Sequence, residues 1–178
     1  SMESKEGEVK HFSPDEIGNE REGVLDELAD AVIIGLRDYC QKSGIEQIVL
    51  GLSGGIDSAV AACVAAEAVG PENVLGISMP SRFSSQHSMD DAKYTAEALG
   101  MEYATISIDS HHSGIEQHLE QMLEEGSKVA AENIQSRLRG ILVMAHANAQ
   151  GRMAIATGNK SELAQGYCTL YGDMAGGY

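Results

Sequence analysis

A chain of 178 residues is long enough to bury one core without cross-links, and its formal charge of −15 opposes a nucleic-acid partner or an anionic membrane surface. Three cysteines without metal or redox spacing, apolar runs broken by charges short of membrane-spanning length and no evident targeting segment lead to the expectation of one cytoplasmic domain. Basic groups, being few, can act only locally.

Residues 1–10 have little to bury and are expected to be disordered, with Ser1-Met2 resembling the remnant of a tag. Ser13-Pro14-Asp15-Glu16 has the form of a capping box with Pro at the first helical position, but Gly18 weakens a helix there. The first helix is therefore placed at about residues 21–42, and residues 1–22 are read as a polar segment or linker. Val24, Leu25, Leu28, Val32, Leu36 and Tyr39 recur at helical spacing, an apolar side expected to cover a sheet, before Ser43-Gly44 ends the helix.

Residues 47–52 are apolar after Gln47 with two β-branched positions, the pattern of a buried parallel strand, and residues 59–69 have the alanine content of a helix. Between them Ser53-Gly54-Gly55-Ile56-Asp57-Ser58 makes a glycine turn into a helix N-terminus, where backbone N–H groups and the helix field favour a phosphate. No lysine lies between Gln47 and Val69, which excludes a Walker loop, and Gly51, Gly54 and Gly55 lack the spacing of a dinucleotide fingerprint. Asp57 is informative because a carboxylate beside a triphosphate repels it unless a hard cation lies between, which implies Mg²⁺.

Gly70-Pro71 stops that helix, and residues 74–79 read as a second strand. Pro80-Ser81-Arg82-Phe83-Ser84-Ser85 then lies at its carboxyl end, the edge where open α/β sheets bind ligands. Arg82 there either meets an anion or is an ordinary exposed arginine. Ser88, with Asp91 three residues on, is expected to cap a helix that stops at Gly100, and residues 103–108 give a third strand. His111, His112 and His118 lack a fixed ligand spacing, so residues 115–124 read as a solvated helix rather than a metal site. A longer helix over residues 129–150 carries Ile134, Leu138, Ile141, Leu142 and Ala145 as its stripe and Asn133, Arg137 and Arg139 near its start. Residues 153–156 are the fourth strand, ending in Thr157-Gly158-Asn159-Lys160-Ser161-Glu162. The alternation gives an α/β fold, a parallel sheet with helices on both faces.

The loop at residues 53–58 resembles that of the ATP pyrophosphatase superfamily, whose members cleave ATP between its α- and β-phosphates. Together with Met79-Pro80-Ser81-Arg82-Phe83-Ser84-Ser85, Glu132-Asn133-Ile134-Gln135-Ser136-Arg137-Leu138-Arg139-Gly140, Thr157-Gly158-Asn159-Lys160-Ser161-Glu162 and Tyr171-Gly172-Asp173-Met174, it resembles the synthetase domain of NAD⁺ synthetases over residues 23–178. The Thr-Gly-Asn-Lys-Ser-Glu form is closest to the glutamine-dependent type. The resemblance implies an adenine nucleotide alpha hydrolase-like fold and the conversion of deamido-NAD⁺, ATP and ammonia to NAD⁺, AMP and pyrophosphate with Mg²⁺. No protein nucleophile is required, since the nicotinate carboxylate is activated by adenylylation.

By the same resemblance Gly51, Leu52, Ser53, Gly54, Gly55, Ile56, Asp57, Ser58 and Thr157 meet ATP, and Asp57 and Glu162 meet the metal. Asn133, Arg137 or Arg139, and Glu162 again meet deamido-NAD⁺. It also implies a homodimer whose interface includes part of the long helix, and a glutaminase domain or subunit where glutamine is the nitrogen source. Family members continue beyond the Tyr-Gly-Asp-Met stretch, so these residues are expected to be a fragment that binds nucleotide and turns over poorly. Another adenylylating ligase, resembling GMP synthetase, or a nucleotide-binding module without turnover are the competing readings. A tRNA-thiolating enzyme would want a basic surface and a cysteine pair, and the sequence offers neither.

Overall fold

The computed structural model describes residues 14–125 and 128–178. The disorder expected over residues 1–10 and the Ser13 side of the capping box lie outside the described residues. Helix α1 (Pro14–Ser43) begins at Pro14, where the missing N–H has no intrahelical acceptor to lose. It runs through Gly18, contrary to the later start expected, because one glycine costs a helix only about 1 kcal/mol. Then follow β1 (Ile48–Gly51), α2 (Ile56–Val69), a 3₁₀ turn (Pro71–Asn73), β2 (Val74–Ser78), α3 (Gln86–Leu99), β3 (Glu102–Thr105), α4 (Asp109–Glu125), α5 (Lys128–Gln150), β4 (Met153–Ile155) and α6 (Lys160–Gln165).

The four strands are parallel in the order β3-β2-β1-β4. Val49 sits opposite Leu75 on one side and Ala154 on the other. The order reverses at β1, whose neighbours are β2 and β4, so the crevice at its carboxyl end is a topological switch point. Alternation along β1 divides the core. Ile48 and Leu50 face Leu36 and Cys40 of α1, Ala62 and Ala65 of α2 and Ala92 and Ala96 of α3. Val49 faces the opposite layer with Leu75, Ile77, Ile108, Val143 and Ala147. Ile48, Val49 and Leu50 are 0 % exposed, and each contributes roughly 1.5–3 kcal/mol. Short alanines on α2 and α3 let those helices lie close on the strands.

β3 ends before the strand expected at residues 103–108, but its pairing continues, with Ile106 N–H donating to Ser78 O and Ile108 N–H to Pro80 O. β4 is a sheet edge, along which Gly177 N–H donates to Ala154 O and Ala156 N–H to Tyr178 O. The Tyr178 ring then rests on Tyr39 at 5.3 Å between centroids. Arg37 of α1 donates to Glu67 O and Ala68 O, which satisfies last-turn carbonyls of α2 that have no intrahelical donor.

Three expectations about helix faces are corrected. The apolar side of α1 does not cover the sheet along its length: Leu36 is buried, but Val24 and Leu25 are each 63 % exposed and Leu28 59 %. A 30-residue helix is about 45 Å long, whereas strands of three to five residues span roughly 10–17 Å, so the helix overshoots the sheet. On α5 the buried side is Leu138, Gly140, Val143 and Ala147, while Ile141 is 60 % exposed and Ala145 is also exposed. Small residues that let backbone approach decide that face, and a stripe drawn through large apolar residues misses them. α4 starts at Asp109 and is not wholly solvated, since His112 is 1 % exposed.

Candidate nucleotide site

A cavity of about 370 Å³ opens at the carboxyl edge of β1, β2 and β4. Gly51, Leu52 and Ser53 form one wall, Met79 and Pro80 the end of β2, Arg139 and Gly140 the side given by α5, and Thr157 the exit of β4. The remaining wall is Gly172, Asp173 and Ala175.

The loop into α2 is built by its own hydroxyls. Gly54 is at φ +82°, and Gly55 is the N-cap with extended backbone and no side-chain cap. Ser58, 3 % exposed, donates its hydroxyl to Gly55 O at 2.9 Å and accepts Ser53 N–H at 3.2 Å, while Ser53 Oγ accepts Gly55 N–H at 3.1 Å. Ser58 thus closes the loop from inside. Ile56, Asp57 and Ser58 occupy the first turn of α2, where N–H groups have no acceptor four residues back, so they are presented at the loop as an anion site.

Asp57 is exposed in that first turn, and its Oδ2 accepts the side-chain amide of Asn159 at 3.4 Å. Asn159 is the N-cap of α6. Its Oδ1 accepts Glu162 N–H at 2.9 Å, and its own N–H donates to Glu162 Oε2 at 3.1 Å, a complete capping box. One asparagine therefore holds Asp57 and Glu162 on either side of it, although they are far apart in sequence. Its role was missed in the sequence, although Asn159-Lys160-Ser161-Glu162 carries the spacing of a capping box.

A family model described as NAD synthase matches residues 28–178. The chain belongs to the NAD synthase family. It is 52 % identical over 149 residues to a glutamine-dependent NAD(+) synthetase of Rhodobacter capsulatus, covering 83 % of this chain and 27 % of that protein. The structure of a glutamine-dependent NAD⁺ synthetase from Acinetobacter baumannii in complex with ADP superposes with a TM-score of 0.83 at 40 % identity, over 86 % of this chain and 29 % of that one. An NH3-dependent NAD synthetase from Campylobacter jejuni, in complex with nitrate, gives a TM-score of 0.77 at 32 % identity, over 85 % of this chain and 64 % of that one. The chain thus spans under a third of the length of the glutamine-dependent relatives named here, and the parallel sheet is that of the NAD synthetases.

In this NAD synthase-family chain the expected dinucleotide residues divide. Arg139 lines the cavity, donates from Nε to Met79 O at 3.1 Å, and has its pKa lowered from the ordinary arginine value by burial. Arginine remains charged at neutral pH even so, which brings a partly desolvated cation to the cavity. Arg137 instead donates to Leu170 O at 3.3 Å, and Asn133 accepts the hydroxyl of Thr169 at 2.8 Å. Arg82 is paired with Glu116 and lies 4.9 Å from the Phe83 ring centroid, so its anion is the protein's own. The helix after it is capped by Ser85, whose Oγ accepts Ser88 N–H at 3.1 Å, and not by Ser88 as expected. Ser85 precedes Ser88 by the same three-residue spacing that Ser88 holds to Asp91, and its extended backbone starts the helix earlier. Among the described residues no three His, Cys, Asp or Glu side chains gather to hold a metal, and no helix is long and apolar enough to cross a membrane.

Proposed function

We propose that this chain binds Mg·ATP in the cavity and belongs to an enzyme that amidates deamido-NAD⁺ to NAD⁺, with ammonia, free or drawn from glutamine, as nitrogen donor. The observation that carries the reading is that the cavity lined by Ser53, Arg139 and Thr157 and the Asp57–Asn159–Glu162 cluster at the start of α2 both lie at the carboxyl edge of the sheet. Phosphates fit the first turn of α2, and the base fits the apolar part of the cavity around Met79, Val143 and Ile155.

Asp57 and Glu162 suit Mg²⁺, which takes one or two carboxylates and completes its shell with phosphate oxygens and water, so the absence of a third protein ligand is no obstacle. When bound, Mg²⁺ supplies neutralisation of the triphosphate charge. Asn159 orients both carboxylates, and the α2 N–H groups hold the phosphates in line. The nicotinate carboxylate oxygen attacks the α-phosphorus, the bond to pyrophosphate breaks, and an acyl adenylate forms. Ammonia then forms the C–N bond, AMP leaves with its oxygen, and the surplus proton goes to solvent. The protein's contribution is positioning and charge, with Arg139 offsetting negative charge at the cavity. Asn133, Arg137 and Glu162 serve deamido-NAD⁺, and a second copy of the chain packs on the exposed side of α5.

The test is pyrophosphate release from ATP with protein in excess, so that one turnover suffices. Release that requires both deamido-NAD⁺ and ammonia is expected. Release with GMP-synthetase substrates instead, or binding of ATP with no release under any condition, would support the competing ligase or the non-catalytic module.

A further inference from the structure

The turn from Thr169 to Ala175, which supplies the far wall of the cavity, is fastened to α5 at several levels. Thr169 Oγ1 reaches Asn133 and Leu170 O accepts from Arg137. At the centre the Ser136 hydroxyl donates to Asp173 Oδ1 at 3.0 Å and accepts Asp173 N–H at 3.1 Å, and the same Oδ1 accepts Thr169 N–H at 2.7 Å. The approach is so close that a Cβ on Gly140 would lie 2.9 Å from Tyr171 O, and one on Gly172 would lie 2.3 Å from Ser136 Oγ.

Tyr171, at φ +61°, is the one non-glycine residue with positive φ among the described residues, a conformation that crowds its Cβ. Its side chain is not what holds it there, since Tyr171 is 83 % exposed. The turn is therefore kept in a disfavoured shape by bonds to its neighbours, and Asp173 makes the most of them. Asp173 is itself exposed, but its bonded oxygen is directed back into the turn and α5.

We propose that Asp173 is a positioning residue for the nucleotide: by accepting from Ser136 and Thr169 it holds the 169–175 turn against α5 and so sets the cavity wall formed by Gly172, Asp173 and Ala175. This rests on the reading that Mg·ATP enters the cavity. The role needs an acceptor oxygen and no charge, so an asparagine serves as well as the aspartate. It also couples the two substrates, because Asn133 and Arg137 anchor the same turn whose other side lines the cavity.

The experiment is calorimetric titration of Mg·ATP into wild type, Asp173→Ala, Asp173→Asn, Ser136→Ala and the double variant Tyr171→Gly/Asp173→Ala. Asp173→Ala should bind about tenfold more weakly, the scale of one lost hydrogen bond to a charged group, and Ser136→Ala should weaken binding in the same direction. Asp173→Asn should stay within about twofold of wild type, since its Oδ1 keeps both donors. Tyr171→Gly should restore most of the loss, because glycine adopts the turn without being held. Wild-type affinity in Asp173→Ala, a loss in Asp173→Asn equal to that in Asp173→Ala, or no rescue by Tyr171→Gly would each overturn the proposal. If Asp173→Ala does not fold, Ser136→Ala and Asp173→Asn decide it on the same criteria. Failure of wild type itself to bind Mg·ATP would overturn the cavity reading first, a result distinct from all of these.

Discussion

Replacing Gly54 by alanine tests the phosphate loop where its geometry is tightest. The backbone there is at φ +82°, and an added Cβ would lie 2.2 Å from Ser88 O, 2.8 Å from its carbonyl carbon and 2.9 Å from its Cα. These are backbone atoms in the first turn of α3, tied by the Ser85 cap, so they cannot swing aside as the end of a side chain could. The left-handed conformation costs an alanine about 1–2 kcal/mol, and overpacking a close contact adds about 1–3 kcal/mol. A total of roughly 2–5 kcal/mol corresponds to a fall in Tm of roughly 4–20 °C for a domain of this size. Any part relieved by lifting the loop is taken from the cavity instead, because Ser53 and Ser88 both line it, and Mg·ATP affinity should fall at least about tenfold for each 1.4 kcal/mol so diverted. Thermal unfolding and calorimetric titration together read both shares. Gly158→Ala is the control, since φ is not positive there and nothing lies within 4 Å of the added carbon, and it should change stability by under about 0.5 kcal/mol. Gly54→Ala with the Tm and affinity of wild type would refute the argument.

Asp57→Asn should weaken Mg²⁺-dependent ATP binding and leave the fold intact, since a first-turn aspartate helps its helix by under about 1 kcal/mol; equal affinity with and without Mg²⁺ in wild type would contradict it. Asn159→Ala removes the cap of α6 at a cost of about 1 kcal/mol and frees Asp57 from Glu162, so the Mg²⁺ concentration needed for ATP binding should rise, which a metal titration measures. His87 has its pKa raised above 6.5 by a hydrogen bond to its own backbone and then by the charge of Asp91. A raised folded-state pKa stabilises fully below the unfolded value and is lost as pH rises through the folded one. His87→Gln should therefore lower Tm relative to wild type more in mildly acid buffer than at alkaline pH, and a difference independent of pH would rule this out.

The sequence by itself determined the kind of the four strands and of α1 to α5 and the order in which they alternate, while α6 was read as part of a loop. Residues 47–52 read as a buried strand because both faces of β1 meet core, and the glycine turn after it shows its chemistry in six consecutive residues. Such signals depend on neighbours two to four positions away, where chain geometry alone decides what meets what. Tertiary structure decided that β4 pairs with β1 and not with β3, and that placement brings the loop at Asn159 across to Asp57. It separated Arg139 from Arg137, two residues apart on one helix, because successive odd positions on a helix point some 200° apart and only one of them faces the cavity. It left Val24, Leu25 and Leu28 of α1 exposed, since a helix records its own apolar side but not the length of the sheet it meets. It also made the 169–175 turn into a wall, since the contact of Gly140 with Tyr171 and of Gly172 with Ser136 depends on the absence of side chains, and an absence carries no periodic signal until the two backbones are brought together.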